Sequence, residues 1–412
     1  MTNNTTSSSF LSYILLYLLL ALTTFEYFFR YTPLVYVLYC ICFLLVFIRK
    51  RDRSLNTKDG VYFAVFYSLT FFIVLINGAG ISSAFGRILE IIGTLLISLL
   101  IYKDFTKHFV NIMVIISLVA LVFYGFYFIE PIRDYLFYDV APNFPSLNMG
   151  NFTNELSDTG GGINIVIHNY HNGGASLRTG NLYRNCGPFW EPGQFAVFLN
   201  IALFFNIFFG EEKRRGLKNA FLMAALISTF STGGFSAALF LLFISTLKRS
   251  SKFYVKFLAA VVFVVFAVFF VGSEYMGNKI AEEMSSSAED ASRFSAFSIQ
   301  LRVITDNPIF GGGNWEDYSH ASSAANGILL PFVYWGIPFG LVYYFFILRS
   351  FKNLMRQNGH KKNLAFAFFS LILILAFSQT IITTRWFLVF IMVGLFKMVT
   401  RSNNSLNSYN NG

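Results

Sequence analysis

Long apolar runs, separated mostly by short polar segments, dominate this chain of 412 residues. Each run is about 17–22 residues long and nearly free of charge, which is the length that an α-helix needs to cross a bilayer. The pattern therefore predicts an all-α polytopic membrane protein with about twelve transmembrane helices. The predicted spans are residues 10–29, 31–48, 61–77, 81–102, 109–129, 189–209, 219–231, 233–247, 255–272, 325–347, 364–382 and 385–399.

Two polar segments depart from this pattern because they are far longer than the other connections. They cover residues 130–188 and 273–324, and each ends just before an apolar run. A transport pore needs no such segments, whereas an enzyme that acts on a lipid-linked substrate at the membrane face does. We therefore expect one integral membrane domain over residues 1–412, with the two segments as long exterior loops and a disordered tail at 402–412.

Composition and charge agree with this class and give an orientation. Only 13% of the residues are charged and 55% are hydrophobic, whereas soluble domains carry about 25% charged residues. Most of the 31 lysine and arginine residues fall in short segments on one side, which marks the cytoplasmic side. The N- and C-termini are then cytoplasmic, and the long loops are periplasmic in a bacterial inner (plasma) membrane. The net charge of +10 is thus an insertion signal, and we expect no nucleic-acid partner.

The end of the first long loop combines the features of an anion-binding site. It reads Arg184-Asn-Cys-Gly187-Pro-Phe189-Trp-Glu191-Pro192. Proline suits the first turn of a helix, so the motif predicts a helix start, where unpaired N–H groups and the helix dipole favour phosphate. Arg184 is a candidate diphosphate ligand, with anchoring near lipid headgroups as the alternative. Glu191 is a candidate catalytic base, with simple capping of the helix as the alternative.

Arginine, glycine and an ionisable residue recur in the second long loop. Arg293 and Arg302 precede three consecutive glycines, and no Gly-Lys-Ser/Thr follows them. The glycines therefore predict a flexible turn and not a nucleotide-binding loop. Such a turn would return His320 toward the helix that begins near residue 325. Because histidine can take a proton from a sugar hydroxyl near neutral pH, His320 is a candidate catalytic base, with a solvated loop histidine as the alternative.

Exterior aromatic residues and one intramembrane ion pair extend the set of candidates. Trp190, Trp315 and Tyr183 are candidates for stacking on sugar rings, although the aromatic belt of membrane interfaces explains the same residues. Within a predicted span, Arg87 and Glu90 are three residues apart and can face each other on one helix. We favour a structural pair and keep Arg87 as a reserve diphosphate ligand.

For three further residues we expect no part in the reaction. Arg385 stands at the outer start of the last span beside a tryptophan, so we expect an interface anchor. His168 and His171 form a His-x-x-His pattern without a neighbouring cysteine or ordered carboxylate, so we expect no metal site there. Acidic-x-acidic triplets, with which many glycosyltransferases hold a divalent ion, do not occur in the sequence. We therefore expect neither a metal nor a cofactor.

Taken in order, these motifs resemble those of the O-antigen polymerase and O-antigen ligase superfamily. The pattern Arg184-x-x-Gly187-x-Phe189-x-Glu191-Pro192-x-x-x-Ala196 looks like the central motif of that superfamily. Its second exterior motif is similar to Arg293-x-x-x-Phe297, Pro308-x-x-Gly311-x-Gly313, Asn326-Gly-Ile-Leu-Leu and Gly336-Ile337. Ligase members usually carry a histidine directly before the asparagine of this motif. Here Ala325 fills that position, which favours a polymerase.

The resemblance implies an inverting, metal-independent glycosyltransferase of the GT-C type that acts on glycans linked to undecaprenyl diphosphate. Arginines that match Arg184 and Arg293, with Arg302 as a further candidate, would hold the diphosphate. We predict a polymerase that transfers a growing glycan from undecaprenyl diphosphate to a lipid-linked repeat unit of O-antigen, capsule or exopolysaccharide. The expected partners are the two lipid-linked substrates, membrane lipid and a chain-length regulator protein. A ligase that moves polymer to lipid A-core or protein, and a lipid-linked oligosaccharide flippase, remain as alternatives.

Overall fold

The computed structural model of the protein describes a helical bundle and parts of both long polar segments. The described residues are 4–29, 32–48, 55–78, 80–143, 162–165, 167–172, 183–249, 252–254, 257, 261, 293–312, 326–359 and 363–398. Helices account for most of this part of the chain, which confirms a mostly helical fold of the polytopic membrane type.

The helices are numbered in chain order. They are α1 (Asn4–Thr24), α2 (Glu26–Phe29), α3 (Thr32–Ile48), α4 (Lys58–Ile76), α5 (Ile81–Ile101), α6 (Phe105–Phe126), α7 (Glu130–Asp134), α8 (Pro192–Phe209), α9 (Glu212–Ser228), α10 (Thr232–Arg249), α11 (Arg293–Asp306), α12 (Leu330–Gln357), α13 (Asn363–Ser378) and α14 (Arg385–Leu395). A π-helical turn (Tyr135–Val140) and a 3-10 turn (Ala141–Asn143) follow α7. The strands are β1 (Leu55–Asn56), β2 (Gly162–Asn164), β3 (Asn169–Asn172), β4 (Tyr183–Asn185) and β5 (Lys397–Met398).

Helices coincide with every predicted span except 255–272, which lies almost entirely outside the described residues. Five of the described helices, α4, α5, α6, α8 and α12, are long and apolar enough to cross a membrane. Shorter apolar helices lie within α1, α3, α10, α13 and α14. The number of twelve spans therefore stays a prediction. The predicted disordered tail at 402–412 also lies outside the described residues.

Helix α8 is the most enclosed of the five long apolar helices. In its 18-residue apolar window 83% of the residues are buried, against 33–50% in the other four. Phe205 of α8 packs on Phe368 of α13, with ring centroids 5.4 Å apart. Asn200 donates from Nδ2 to the carbonyl oxygen of Gly234 in α10 at 3.1 Å. A buried amide is costly without such a partner, so this bond helps to fix α10 against the central helix.

The described parts of the first long polar segment include a small sheet that the all-α prediction missed. Strands β2, β3 and β4 form an antiparallel sheet in that order, with Tyr170 opposite Asn185 and His171 opposite Arg184. Tyr170 is fully buried, packs on Phe137, and donates its hydroxyl hydrogen to the carbonyl oxygen of Phe123 in α6. The sheet therefore rests on the end of α6 and carries Arg184 on its last strand.

In the second polar segment, the chain that follows α11 crosses the start of α12 at close range. The N–H group of Gly312 donates to the carbonyl oxygen of Val333 at 2.9 Å. In the other direction, Ile337 N–H donates to the carbonyl oxygen of Pro308 at 2.7 Å. Two backbone hydrogen bonds thus join the segment after α11 to the first part of α12, and they fix α11 against α12.

Glycines make this crossing feasible. Gly311 has φ +71° and Gly336 has φ +78°, which are conformations that residues with a Cβ rarely adopt. A Cβ on Gly336 would collide with the carbonyl oxygen of Ile309, and a Cβ on Gly311 would collide with that of Val333. The predicted flexible turn is therefore a packed backbone crossing, which also breaks α12 at Gly336.

Replacement of Gly336 by alanine is expected to destabilise the protein by about 3 kcal/mol. The new methyl group both forces a strained backbone conformation and displaces a neighbouring backbone segment. A matched control is Gly216→Ala in α9, where an added Cβ meets no atom within 4 Å. That change is expected to be neutral or stabilising by up to about 1 kcal/mol. Thermal unfolding of the purified variants in detergent measures both effects, and equal midpoints would contradict the crossing.

We call the end of the bundle where α8 begins the motif end, and the opposite end the basic end. At the basic end, Lys107 of α6 forms an ion pair with Glu211 at 2.8 Å. Arg349 of α12 forms another with Asp59 of α4, also at 2.8 Å. Lys218 of α9 lies there too and donates to an asparagine of α6. Cations therefore collect at one end, which agrees with the charge asymmetry used to orient the chain.

Candidate functional site

The first exterior motif folds into a tight loop against the turn between α9 and α10. Asn185 holds this loop from both sides. Its Oδ1 accepts the N–H of Gly187 at 2.9 Å, and its Nδ2 donates to Ser228 Oγ at 2.8 Å. Phe189 is fully buried and stacks on Phe198 of α8, with ring centroids 4.7 Å apart. These contacts fix the motif residues at the start of the central helix.

Arg184 is half-buried and reaches from β4 to the C-terminal end of α9. Its Nε donates to the carbonyl oxygen of Thr229 at 3.0 Å, and its Nη2 donates to that of Phe230 at 3.1 Å. Carbonyl groups at a helix C-terminus carry partial negative charge and attract a cation. Because a guanidinium has five N–H donors in one plane, two such bonds fix its orientation. Arg184 therefore ties the loop to α9 and is a preoriented cation at the motif end.

Glu191 is the residue that precedes the first turn of α8, and Pro192 begins the helix as predicted. The backbone of Glu191 is extended, with φ −147° and ψ 156°, and its side chain makes no capping hydrogen bond. The carboxylate is half-buried at the N-terminal end of α8, where the helix dipole is positive. The geometry therefore does not support a role for this side chain as a simple cap. An ionised carboxylate at this place can accept a proton.

Gln379, a residue that the sequence pattern did not single out, lies next to Glu191. It follows α13 and is only 5% exposed. A Cβ on Gly193, in the first turn of α8, would collide with Gln379 Nε2 and would lie 3.5 Å from Glu191 Oε1. Glycine at position 193 therefore admits the Gln379 amide to the start of α8, beside the carboxylate. The glutamine stands between Ser378 and Thr380 near the end of the predicted span 364–382, where polar residues give no signal of a site.

The second exterior motif reaches the same place through Asn326 and Gly327. Gly327 N–H donates to the carbonyl oxygen of Ala376 at 2.9 Å, and a Cβ on Gly327 would collide with the carbonyl oxygen of Gln379. Asn326 is fully buried, and its Oδ1 accepts the N–H of Ile328 at 2.9 Å. Its Nδ2 has no hydrogen-bond partner among the described residues. Two motifs that are far apart in sequence thus converge on Gln379.

The two arginines of α11 occupy opposite faces of that helix. Positions 293 and 302 are nine residues apart, which is about half a turn out of phase. Arg302 has a side chain that is 82% exposed and forms an ion pair with Asp306 at 3.9 Å. Ala296 and Gln300 share the helix face of position 293, because they follow it by three and seven residues. Both are fully buried. The two arginine positions of α11 therefore do not face one ligand together. This conclusion rests on the backbone positions, because the side chain of Arg293 is not among those described.

Arg87 and Glu90 form the expected ion pair, and Arg385 joins them. Arg87 Nη1 lies 3.7 Å from Glu90 Oε2, and Arg385 Nε lies 3.4 Å from Glu90 Oε1. The Tyr67 hydroxyl donates to Glu90 at 3.2 Å and accepts from Arg87 at 3.1 Å. Arg385 was expected to be an interface anchor, but its guanidinium turns to Glu90 and lies over the ring of Tyr36. The network joins α3, α4, α5 and α14, which agrees with a structural role for Arg87.

Four other candidates are described in part or not at all. Trp190 is half-buried directly before Glu191. Tyr183 belongs to β4, but its side chain is not among those described. Trp315 and His320 lie outside the described residues. The roles of these residues in sugar binding and base catalysis therefore stay predictions.

His168, the first residue of the His-x-x-His pattern, is fully buried in the folded part of the first polar segment. Its ring lies 4.5 Å from that of Tyr170 and 6.0 Å from that of Phe123. Neither ring nitrogen has a hydrogen-bond partner among the described residues. Burial lowers the pKa of His168 to about 3, so the ring stays neutral at physiological pH. It packs here as an aromatic residue.

Comparison with known proteins bears mainly on the second half of the site. No curated protein and no solved structure matches the chain. The stretch that does match a family profile includes the turn between α9 and α10, helix α11, the segment after α11 that enters the backbone crossing, and Asn326. It does not include Arg184, Glu191 or Gln379. Residues 219–332 match the profile described as O-antigen ligase, which supports the assignment of this chain to the O-antigen polymerase and ligase superfamily.

Proposed function

We propose that the protein polymerises a polysaccharide from lipid-linked repeat units of O-antigen, capsule or exopolysaccharide. The donor is a growing glycan on undecaprenyl diphosphate, and the acceptor is a single repeat unit on the same carrier. The observation that carries this proposal is the convergence of both exterior motifs at the start of α8. There Arg184, Glu191 and Gln379 supply a cation, a carboxylate and an amide at one end of the bundle. The match to the O-antigen ligase profile supports the same class of reaction.

The reaction in this proposal is one displacement at the anomeric carbon of the donor. The acceptor hydroxyl oxygen forms a bond to that carbon, the bond from the carbon to the diphosphate oxygen breaks, and the configuration inverts. The hydroxyl proton passes to the carboxylate of Glu191 or to His320. Undecaprenyl diphosphate leaves with the electron pair of the broken bond. Guanidinium groups at Arg184 and Arg293 stabilise this leaving anion through charge-assisted hydrogen bonds.

The position of the site at one end of the bundle suits a substrate of this kind. A polyprenyl tail stays among the apolar helices, while its diphosphate and sugars reach the polar loops at the motif end. We infer that the motif end faces the periplasm and the basic end the cytoplasm, because lysine and arginine collect on the cytoplasmic side of bacterial membrane proteins. A protein that regulates chain length is a further partner compatible with this function.

Ligation is the second candidate function, because the matching profile is described as a ligase. The donor and its diphosphate site would be the same, but the acceptor would be lipid A-core or a protein. Ala325 stands directly before Asn326, where ligases resembling this chain usually carry a histidine. That substitution favours polymerisation over ligation.

An assay with purified protein in detergent separates the two functions. Lipid-linked repeat units are supplied as the sole sugar substrate, and products are resolved by size. A polymerase is expected to give a ladder of longer glycans on the carrier and to release undecaprenyl diphosphate. A ligase gives no ladder in this reaction, but it transfers polymer to lipid A-core in a parallel reaction that contains preformed polymer on undecaprenyl diphosphate and lipid A-core. A protein that does neither, although it is folded and monodisperse, would refute both functions.

A further inference from the structure

We propose that the side-chain amide of Gln379 binds a hydroxyl group of the acceptor sugar and holds it beside the Glu191 carboxylate. This inference rests on the proposed function and assigns to that site a residue for acceptor recognition. It concerns a residue outside both exterior motifs and outside the stretch that matches the family profile.

The burial of Gln379 is the first observation. The residue is only 5% exposed. An amide in such surroundings gains from a hydrogen-bond partner, because a fully buried amide left without one costs roughly 1–3 kcal/mol. A polar ligand at the start of α8 can supply such a partner.

The contact with the first turn of α8 is the second observation. Gly193 is the residue that lets Gln379 Nε2 approach the helix, and Glu191 Oε1 faces the same point. An amide donates a hydrogen bond to a hydroxyl oxygen, while an ionised carboxylate accepts the hydroxyl hydrogen. The pair can therefore hold one sugar hydroxyl from both sides. When Glu191 takes the proton, the oxygen that attacks the donor still faces the amide N–H.

The rigidity of the surroundings is the third observation. The carbonyl oxygen of Gln379 accepts the N–H of Ile381 at 2.9 Å and packs against Gly327. The preceding Ser378 packs against Gly233 at the start of α10. Residue 379 is thus held by the start of α8, the start of α10 and the turn before α12. A group held by several elements is suited to select one hydroxyl geometry.

Gln379→Met tests the proposal, because methionine preserves the length and shape of the side chain and removes the amide. The KM for the lipid-linked acceptor is expected to rise about tenfold, as for the loss of one hydrogen bond of about 1.4 kcal/mol. The KM for a preformed polymer on undecaprenyl diphosphate, which is the donor, is expected to change less than about twofold. The matched control is Gln300→Met, because Gln300 is likewise a buried glutamine and lies on α11, not at the start of α8. We expect it to leave both constants unchanged.

Each outcome decides the proposal. An unchanged acceptor KM in Gln379→Met, or a lower kcat with both KM values unchanged, would overturn it. If this variant does not fold, Gln379→Glu provides the same comparison, and it too must raise the acceptor KM alone. A wild-type protein that cannot elongate a lipid-linked repeat unit would refute the proposed function and this inference with it. Normal elongation with an unchanged acceptor KM in the variant would refute the inference alone.

Discussion

Arg184→Ala is expected to slow polymer formation at least about 100-fold while the protein remains folded. In the proposed reaction this guanidinium faces the departing diphosphate, and removal of one preorganised donor of this kind costs about 10²–10³ in rate. The variant also loses two bonds to the carbonyl groups of Thr229 and Phe230, each contributing about 1 kcal/mol. A moderate loss of stability is therefore expected as well. The initial rate of ladder formation is measured per mole of monodisperse protein, so that the two effects are separated.

Two further arginine variants sharpen this result. Arg302→Ala removes an arginine that is exposed on α11 and pairs only weakly with Asp306 across 3.9 Å, so we expect activity within about twofold of wild type. Arg184→Lys keeps the charge and loses the planar fork, and its rate is expected to fall between wild type and Arg184→Ala. Wild-type activity in Arg184→Ala would remove this residue from the site. An equal loss in Arg302→Ala would show that exposure on α11 is not a guide to function.

The start of α8 could be predicted from the sequence because its signals are local. A proline at the first helical position and an apolar run behind it predict where the helix begins. The structure places Glu191 and Pro192 at that position. The helices of the bundle could be predicted for the same reason, since hydropathy is a property of each segment alone. The sheet that carries Arg184 could not, because its three strands are short and lie within a polar segment.

Residues whose role depends on a distant partner were not predictable. Gln379 stands among polar residues at the end of an apolar run, and only its contact with Gly193, far upstream, distinguishes it from them. Gly311 and Gly336 likewise form one crossing, whereas the sequence shows two separate glycines. The opposite faces of positions 293 and 302 could have been deduced from their spacing. That deduction needs the knowledge that residues 293–306 are helical. The polar composition of the second long segment indicated a loop instead.

Glu90→Gln is expected to destabilise the protein by about 3 kcal/mol. Glu90 is the carboxylate that both Arg87 and Arg385 contact, and its side chain is only 11% exposed. A neutral amide in its place leaves two partly buried cations without the carboxylate that both contact. Loss of one partner from a buried ion pair typically costs about 3–5 kcal/mol, and the partial exposure of the arginines, at 29% and 32%, places the effect at the lower end. The measurement is the free energy or midpoint of unfolding of the purified protein in detergent.

The basic end supplies a matched control for this prediction. Glu211→Gln removes the same charge from the ion pair with Lys107. The side chain of Lys107 is 60% exposed and that of Glu211 is 73% exposed, so the loss of stability is expected to be less than about 1 kcal/mol. Its effect should also vanish at high salt, whereas the effect at Glu90 should persist, because buried charges are poorly screened. The double variant Glu90→Gln with Arg385→Gln removes one excess cation and is expected to recover part of the stability. If Glu90→Gln instead unfolds like wild type but fails to make polymer, the network is not a structural tie, and Arg87 becomes a diphosphate ligand that Glu90 orients.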